Sequence, residues 1–509
     1  MSLSCKILNG MCQLLYQKEY DKFTASCNVE RVQWNYLKKL LRKNADTQYG
    51  KKYNFGSIKS YEDFAQNVPM TVYEDYETYI EAAAHGEKRV LTKEKITLFE
   101  LTSGSSGGKK LIPYTKSLKQ EFQRGIKPWL CDIYSNVNGV KEGKSYWSIT
   151  PVTEGKQLTE AGIPIGFEED AQYFGFLEKG IMQRIFGVDG SVKFAGDMQE
   201  FYTETARQML ACEELTLISV WNPTFLTILC EFICQHAEVL VDCYSGARQK
   251  WFLEAVKERQ FEKIFPHLKI ISCWADGSAA DYVDGIRQYF PTVLIQPKGL
   301  LATECFTSFP FMGEEGSRLS IYSHFFEFRS LESGEIVTAD KLLPGEYELI
   351  VTTGGGFYRY CIGDIIRVLE TYKDQPPRIQ FLRRKGITSD LFGEKLTEEF
   401  VRGVCQRLQI TEGFCLLAPE EKHYCLYTTV KQISPDLLDE ALRDSFHYNY
   451  CRQLGQLEQA EVIVIGGSPE DTYIKRLAAE GMRIGDIKPA YLSRKTGWEN
   501  YFEILERKR

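Results

Sequence analysis

The sequence predicts an α/β protein with a large N-terminal domain and a smaller C-terminal one. Apolar, β-branched runs that suit strands alternate with segments whose three- and four-residue apolar spacing suits helices. Short strands separated by glycine turns crowd residues 321–368 and predict an antiparallel subdomain or small barrel. A basic, glycine-ended segment at 383–386 precedes a last α/β unit of about 120 residues, so we expect domains at 1–382 and 387–509 joined by a hinge that makes the small domain mobile.

Composition favours a folded protein and excludes several classes of partner. The chain has 509 residues, 43% of them apolar and 26% charged, which suffices for two or three packed domains. A formal net charge of -7 gives no footprint for nucleic acid or an anionic membrane. The 15 cysteines are scattered singly, which is typical of reduced thiols. We see neither a signal-peptide pattern nor a long apolar run, and we expect a cytoplasmic protein without nucleic-acid or membrane partners.

A loop rich in glycine and hydroxyl side chains follows the strand predicted at 95–101. Its glycines let backbone N–H groups face an anion, while its hydroxyls and lysines add donors and positive charge. We therefore expect a phosphate cradle at 102–110. The candidate nucleotide-binding residues of this loop are Thr102, Ser103, Gly104, Ser105, Ser106, Gly107 and Lys109.

The spacing of this loop differs from both common nucleotide motifs. Counting from Gly104, Lys109 stands where a Walker A loop needs its second glycine. The loop also lacks the dinucleotide fingerprint, which has an acidic residue about 20 positions on. A flexible glycine/serine linker is the alternative interpretation. A helix predicted at 116–130 would aim the positive end of its dipole at a bound phosphate.

Aromatic and small residues are concentrated between 145 and 175. Such a segment indicates either a pocket for an organic acid or core strands joined by turns, and both interpretations stay open. The candidate acyl-pocket residues are Trp147, Ile149, Ile163 and, further along the chain, Trp221.

Two later turns carry residues that suit a nucleotide. A turn of small residues after the strand at 268–273 lets a flat base approach the backbone at Gly277 and Ser278, although most strand-to-helix junctions look alike. Thr303 and Glu304 stand at the mouth of an apolar strand, where a carboxylate suits a magnesium ion that bridges nucleotide phosphates. The alternative for Glu304 is an ordinary surface glutamate.

A more specific motif lies at 358–364, where Tyr358 and Arg359 precede a glycine and Asp364. The preceding glycine places Asp364 as an acceptor for two ribose hydroxyls. An aspartate in a strand-end turn is the alternative.

Four segments together resemble the adenylate-forming superfamily in their order and spacing. They resemble more narrowly its Gretchen Hagen three branch, the auxin-responsive acyl-acid amido synthetases, of which the segment at 322–328 is also typical. The resemblance spans nearly the whole chain. The Leu-Leu-Ala-Thr stretch at 300–303 departs from the plant members and favours a bacterial-type member. The four segments are 102–110, 302–304, 358–364 and 381–385.

The resemblance implies roles for individual residues. It assigns the β- and γ-phosphates of ATP to Ser103, Ser105 and Ser106. It assigns magnesium to Glu304, the neighbourhood of the α-phosphate to Thr303 and the ribose to Asp364. The implied catalytic residues are Lys488, which reaches into the site, and Glu304. The other nucleotide-binding positions that it implies are Tyr322, Phe328, Tyr358, Arg384 and Lys395.

The resemblance also implies a ligase that uses ATP and Mg2+ in two half-reactions. A small carboxylic acid attacks ATP, pyrophosphate leaves, and the acyl-adenylate then reacts with the amine of an amino acid to give an amide. Rotation of the small domain between the two steps keeps water from the mixed anhydride. Two alternatives remain open: a coenzyme A ligase with a thiol acceptor, and a non-catalytic module that binds nucleotide or acid. We expect the chain to act as a monomer.

Overall fold

Helices and strands follow one another along the chain in two separate units. The computed structural model describes residues 2–103, 109–149, 157–166, 176–410, 413–480 and 490–509. The first unit comprises residues 1–101 and 111–383, and the second comprises residues 102–110 and 384–509. The hinge at 383–386 and its motion stay a prediction.

Helices form the N-terminal part of the first unit, as the apolar spacing predicts. Capping side chains define where several of them begin: Asn28 accepts a hydrogen bond from the Arg31 amide, and Ser60 and Asp63 form a capping box. These helices are α1 (Leu3–Thr24), α2 (Val29–Asn44), α3 (Gln48–Lys52), α4 (Tyr61–Asn67) and α5 (Glu77–Ala84).

A four-stranded sheet and a long helix follow. Strands β1 (Ile96–Ser103) and β2 (Lys109–Thr115) lie side by side in this sheet. Helix α6 (Lys116–Asn136) begins directly after β2, where the Thr115 side chain accepts from the Leu118 amide. After β3 (Lys144–Trp147), the short strands β4 (Gln157–Leu158) and β5 (Pro164–Ile165) complete the sheet in the order β2-β1-β5-β4.

Strand β3 starts a second, parallel sheet, with strand order β3-β6-β7-β8. Its strands alternate with helices, as expected for a buried parallel sheet. Strand β7 is fully buried. The elements are α7 (Phe176–Ile185), α8 (Met198–Ala211), β6 (Leu215–Ser219), α9 (Pro223–Gln235), α10 (Ala237–Leu240), α11 (Ala247–Lys257), α12 (Phe261–Ile264), β7 (Ile270–Cys273), α13 (Val283–Arg287) and β8 (Leu294–Pro297).

The dense β region forms a seven-stranded sheet that curls as a half-barrel, which confirms the predicted barrel-like subdomain. Its strand order is β12-β11-β13-β14-β15-β10-β9. Its core includes Phe326, Leu349 and Ile366, each without exposed surface. The strands are β9 (Ser308–Phe309), β10 (Ser317–Leu319), β11 (Phe325–Ser330), β12 (Ile336–Thr338), β13 (Gly345–Thr352), β14 (Tyr360–Glu370) and β15 (Arg378–Arg384).

The second unit is a small α/β domain with its own core. Its main sheet has the order β18-β19-β20-β21, and Tyr427, Ile463 and Trp498 are fully buried. The elements are β16 (Thr388–Ser389), β17 (Leu396–Thr397), α14 (Glu398–Arg407), β18 (Cys415–Pro419), β19 (Tyr424–Thr428), α15 (Pro435–Leu442), α16 (Phe446–Gln453), β20 (Glu461–Gly466), α17 (Pro469–Ala479) and β21 (Glu503–Lys508).

All 15 cysteines are free thiols. Within the described segments, no single helix has the length and apolar composition needed to cross a bilayer. The helices Pro223–Gln235 and Ala237–Cys243 reach that length and apolar composition only when they are counted together, and the chain bends by 81° between them.

Candidate active site

A hairpin that follows the parallel sheet presents Glu304 at its tip. Ala302 and Cys305 exchange backbone hydrogen bonds of 3.0 and 3.2 Å, which close a tight turn around Thr303 and Glu304. The base of the hairpin requires glycine, because a Cβ on Gly299 would lie 2.1 Å from the carbonyl oxygen of Ser308 on the opposite arm. We call residues 302–305 the Glu304 turn.

Two tyrosines from other strands hold the Glu304 turn. Tyr114 of β2 donates its hydroxyl to the Thr303 carbonyl oxygen over 2.6 Å. Tyr360 of β14 donates to Glu304 Oε1 over 3.4 Å, and Glu304 is only 5% exposed. Glu304 is therefore not the surface glutamate of the alternative interpretation, and its carboxylate lies where β2 and β14 converge.

Asp364 lies in an irregular part of β14, four residues after Tyr360. The pairing of β13 with β14 shifts register here, and Gly363 has φ +83°, which is a conformation that favours glycine. Such a bulge re-aims the side chain beside it. Burial raises the pKa of the Cys305 thiol, and the charges of Glu304, Asp364 and Glu121 raise it further.

The first half of the 358–364 motif is built into the core. Tyr358 is fully buried, its ring stacks on Tyr49 with 5.2 Å between centroids, and its hydroxyl donates to the Leu91 carbonyl oxygen over 3.0 Å. Arg359 has φ +49° and forms a buried ion pair with Glu327, with 2.9 Å between Nη2 and Oε1. These contacts anchor the strand that carries Tyr360 and Asp364.

A buried His–Glu pair holds the amide of Phe306, the residue that follows the Glu304 turn. His324 Nε2 accepts a 2.9 Å hydrogen bond from the Phe306 amide, so the proton of the neutral imidazole belongs on Nδ1. That nitrogen lies 3.2 Å from Glu121 Oε2, and both side chains are buried. Glu121 also accepts from the Gly354 amide over 2.9 Å. The sequence did not reveal this pair, because nothing local connects residues 121 and 324.

Tyr322 and Phe328, which were predicted to contact the nucleotide, pack against other aromatic rings. Tyr322 packs its ring against the edge of Phe23, with 5.0 Å between centroids, and donates its hydroxyl to the Lys22 carbonyl oxygen. Phe328 has no exposed surface and lies in β11 against the rings of neighbouring core residues. The structure does not bring either ring to the Glu304 turn.

The predicted acyl-pocket residues separate into two groups. Trp147 ends β3 and Trp221 follows β6, so both lie at the C-terminal edge of the parallel sheet. Ile149 stands two residues after the end of β3 and is partly exposed. Ile163 instead precedes β5 in the other sheet and packs against the core.

The predicted phosphate loop lies between two neighbouring strands. Thr102 and Ser103 end β1 and Lys109 begins β2, while Gly104, Ser105, Ser106 and Gly107 lie outside the described residues. The prediction for the helix dipole was wrong. Helix α6 starts only after the seven residues of β2, which extend about 23 Å at 3.3 Å per residue. Its N-terminus therefore lies at the far end of β2 from the loop.

Gly277 and Ser278 open a short helical turn that begins after three further residues beyond β7. This backbone position matches the strand-to-helix turn that the sequence predicted.

The second unit contains Lys395, and Arg384 ends β15 at its border. Lys395 is held at φ +49°, in a turn whose Glu394 is fully buried. Glu394 accepts hydrogen bonds from the Leu391 and Phe392 amides and from the Tyr424 hydroxyl. Burial raises the pKa of Glu394 to about 7, and the charge of Asp390 adds to that shift. Lys488 lies outside the described residues.

The fold is shared with a solved ligase structure. A solved structure titled AtGH3.15 acyl acid amido synthetase in complex with 2,4-DB matches this chain with a TM-score of 0.65. The match covers 98% of this chain and 97% of that one at 19% identity, so it shows a shared fold.

Sequence comparison then identifies the family. The GH3 family N-terminal domain matches residues 18–256, and the GH3 family central domain matches residues 318–384. The chain belongs to the GH3 family. It is 23% identical to indole-3-acetic acid-amido synthetase GH3.4 of Arabidopsis thaliana, over 73% of this chain and 70% of that protein. It is 23% identical to the 4-substituted benzoates-glutamate ligase GH3.12 of the same plant, over 75% and 73%.

Proposed function

We propose that this GH3 family member is an ATP-dependent acyl acid amido synthetase. It adenylates a small carboxylic acid with release of pyrophosphate and then transfers the acyl group to the amine of an amino acid. The family and the ligase names of both relatives support this activity. The observation that carries it is the buried Glu304 carboxylate, which lies in a turn held by Tyr114 of β2 and Tyr360 of β14.

Mg2+ is proposed at Glu304. The donor type fits, because Mg2+ prefers a carboxylate or two together with the phosphate oxygens of its nucleotide. The Glu304 turn also offers a rigid ligand, since Tyr114 and Tyr360 both hold it. When bound, the ion would neutralise charge on the phosphates during adenylation.

The chain's own residues bind and orient the two reactants in this proposal. Asp364 accepts hydrogen bonds from the ribose, and the turn at Gly277 and Ser278 receives the base. The loop at 102–110 cradles the β- and γ-phosphates with backbone amides and hydroxyls, and Thr303 lies at the α-phosphate. The side chains of Phe328 and Tyr358 serve the core and are left out of the proposed site.

The acid carboxylate attacks the α-phosphorus, and the gain in rate comes from positioning and charge neutralisation. We propose that Lys488, Lys395 and Arg384 supply positive charge to the nucleotide from the second unit. The small domain then rotates about 383–386 between the first and the second half-reaction. This rotation keeps water from the acyl-adenylate. Trp147, Ile149 and Trp221 are the proposed wall of the acyl pocket.

Acid-dependent exchange of labelled pyrophosphate into ATP tests this proposal. We expect Glu304→Gln to lose at least about 100-fold in exchange rate, comparable to the loss of one transition-state contact. ATP binding, measured by calorimetry without Mg2+, stays within about twofold because the substitution keeps the shape of the side chain. Glu254→Gln, an exposed position on α11, is the matched control and retains full exchange. If the wild type binds nucleotide but no acid supports pyrophosphate exchange, the result would instead favour the non-catalytic module.

A further inference from the structure

A row of side chains crosses the C-terminal edge of the parallel sheet. Neighbouring strands place Trp147, Ser219, Ser272 and Gln296 directly beside one another in register. Paired residues in a parallel sheet point to the same face, so these four side chains share one face. Gln296 accepts a 2.9 Å hydrogen bond from the indole N–H of Trp129 in α6, which identifies that face as the one covered by α6.

Lys298 carries a buried ammonium group onto this face. It follows β8, where its amide donates to the Cys273 carbonyl oxygen over 2.8 Å, and the residue is only 7% exposed. Its Nζ donates to Ser219 Oγ over 2.9 Å. The same nitrogen lies 4.3 Å from the ring centroid of Trp221 and 5.7 Å from that of Trp129. Both distances are within the range of cation–π attraction.

Two further tryptophans pack against the rings of Trp129 and Trp221. Trp147 meets Trp129 edge to face at 5.8 Å between centroids, and Trp274 lies 5.7 Å from Trp221. Trp147, Trp221 and Trp274 are each partly exposed, so this cluster of indole rings is accessible from solvent. We call Lys298 and these four tryptophans the tryptophan recess.

The tryptophan recess is within the reach of one small molecule from the Glu304 turn. Helix α6 contacts both places on consecutive turns. A Cβ on Gly125 would lie 2.1 Å from the ring of Phe306, the residue that follows the Glu304 turn, and Trp129, one turn of about 5.4 Å further along α6, lies 5.7 Å from Lys298 Nζ. An acid whose carboxylate lies at Thr303 can therefore extend its ring towards the recess.

We propose that Lys298 is a specificity-determining residue of the acyl pocket. Its ammonium binds an anionic oxygen group on the end of the acid remote from the reacting carboxylate, and the indoles contact the ring. The preferred substrates are aromatic acids that carry a second, ring-borne anionic group. This inference rests on the proposed function.

The reacting carboxylate itself is not the partner of Lys298. A buried ion pair at that carboxylate would stabilise the nucleophile before reaction and raise the barrier to its attack on phosphorus. A remote anionic group suffers no such effect. A hydrogen bond to a charged group adds about 10- to 100-fold in affinity, enough to select between otherwise matched acids.

Isothermal titration calorimetry with matched acids tests the inference directly. The probes are three pairs built on benzoate, phenylacetate and indole-acetate, each with a methyl or a carboxylate at the remote ring position. In at least one pair, the wild type binds the dicarboxylate about 10- to 100-fold more tightly than the methyl acid. Lys298→Met brings that ratio to about one or below and leaves the methyl acid within about threefold, while Lys250→Met, an exposed change on α11, leaves the ratio unchanged.

Two results overturn the inference without reference to any variant: a wild type that binds both members of every pair equally, and one that binds none of the six acids. A preserved ratio in folded Lys298→Met, with folding checked by circular dichroism, also overturns it. Failure of the proposed function looks different. In that case the binding preference persists and depends on Lys298, but no acid supports pyrophosphate release.

Discussion

The buried ion pair between Glu327 and Arg359 anchors the strand that carries Tyr360 and Asp364. Arg359 Nε lies 3.1 Å from both carboxylate oxygens of Glu327, and Nη2 lies 2.9 Å from one of them. Arg359 Nη1 also donates to the carbonyl oxygens of Ala65 and Val68. We predict that Glu327→Gln destabilises the first unit by about 3–5 kcal/mol, because it leaves a guanidinium charge buried without its counter-ion.

A double-mutant cycle isolates the pair itself. Glu327→Gln, Arg359→Met and the double variant are compared by urea unfolding, followed by tryptophan fluorescence. Trp498 is the one tryptophan of seven beyond residue 383, so the signal reports mainly on the first unit. We expect the double variant to lose at least about 2 kcal/mol less than the sum of the single variants, since neither charge then remains buried alone.

Arg367→Met provides the control for this cycle. Arg367 of β14 pairs with Glu346 of β13, but their side chains are 49% and 34% exposed. Such an exposed pair contributes about 0–1 kcal/mol, so the control variant stays near the wild type. Additivity of the Glu327 and Arg359 variants within about 0.5 kcal/mol would refute the reasoning.

Three further predictions concern the site and the second unit. Glu121→Gln slows pyrophosphate exchange about 10-fold without unfolding the chain, because His324 loses the charge that orients it towards the Phe306 amide; an unchanged rate contradicts this support. Tyr360→Phe weakens Mg2+-dependent exchange but leaves Mg2+-free ATP binding intact, and equal losses in both measurements argue against its contact with Glu304. The raised pKa of Glu394, about 7 against an ordinary 4.5, means that the folded second unit holds a proton that the unfolded chain releases. Protonated Glu394 therefore stabilises the second unit fully below about pH 4.5, and this stabilisation of about 3 kcal/mol is lost as the pH rises through 7. Hydrogen exchange of residues 384–509 at pH 5 and pH 8 measures the loss, and a Glu394→Gln variant that shows the same loss disproves the assignment.

Local features of the fold could be predicted from the sequence. The strand expected at 95–101 is observed at Ile96–Ser103, and the helix expected at 116–130 is observed at Lys116–Asn136. The crowded β region at 321–368 forms most of the half-barrel sheet. Each of these predictions rests on a periodicity or a turn residue within a short window, so no distant contact was needed.

Features that depend on distant contacts could not be predicted. Tyr358 belongs to a motif suggestive of nucleotide binding, yet its ring stacks on Tyr49 inside the core. Glu121 and His324 lie on separate elements and meet only after folding. The ammonium of Lys298 meets Trp129 only because α6 covers that face of the parallel sheet. Pattern alone did not distinguish these roles, since each residue type is common in packed structures.

Formation of the amide product tests the central claim most directly. The wild-type chain is incubated with ATP, Mg2+, a panel of mono- and dicarboxylic aromatic acids and a pool of amino acids, and pyrophosphate and amide are both quantified, the amide by mass spectrometry. We predict pyrophosphate release that depends on a particular acid, rises when amino acids are present and is matched by an acyl–amino acid conjugate. Nucleotide binding without release from any acid, or acyl transfer to coenzyme A in place of every amine, would contradict the account.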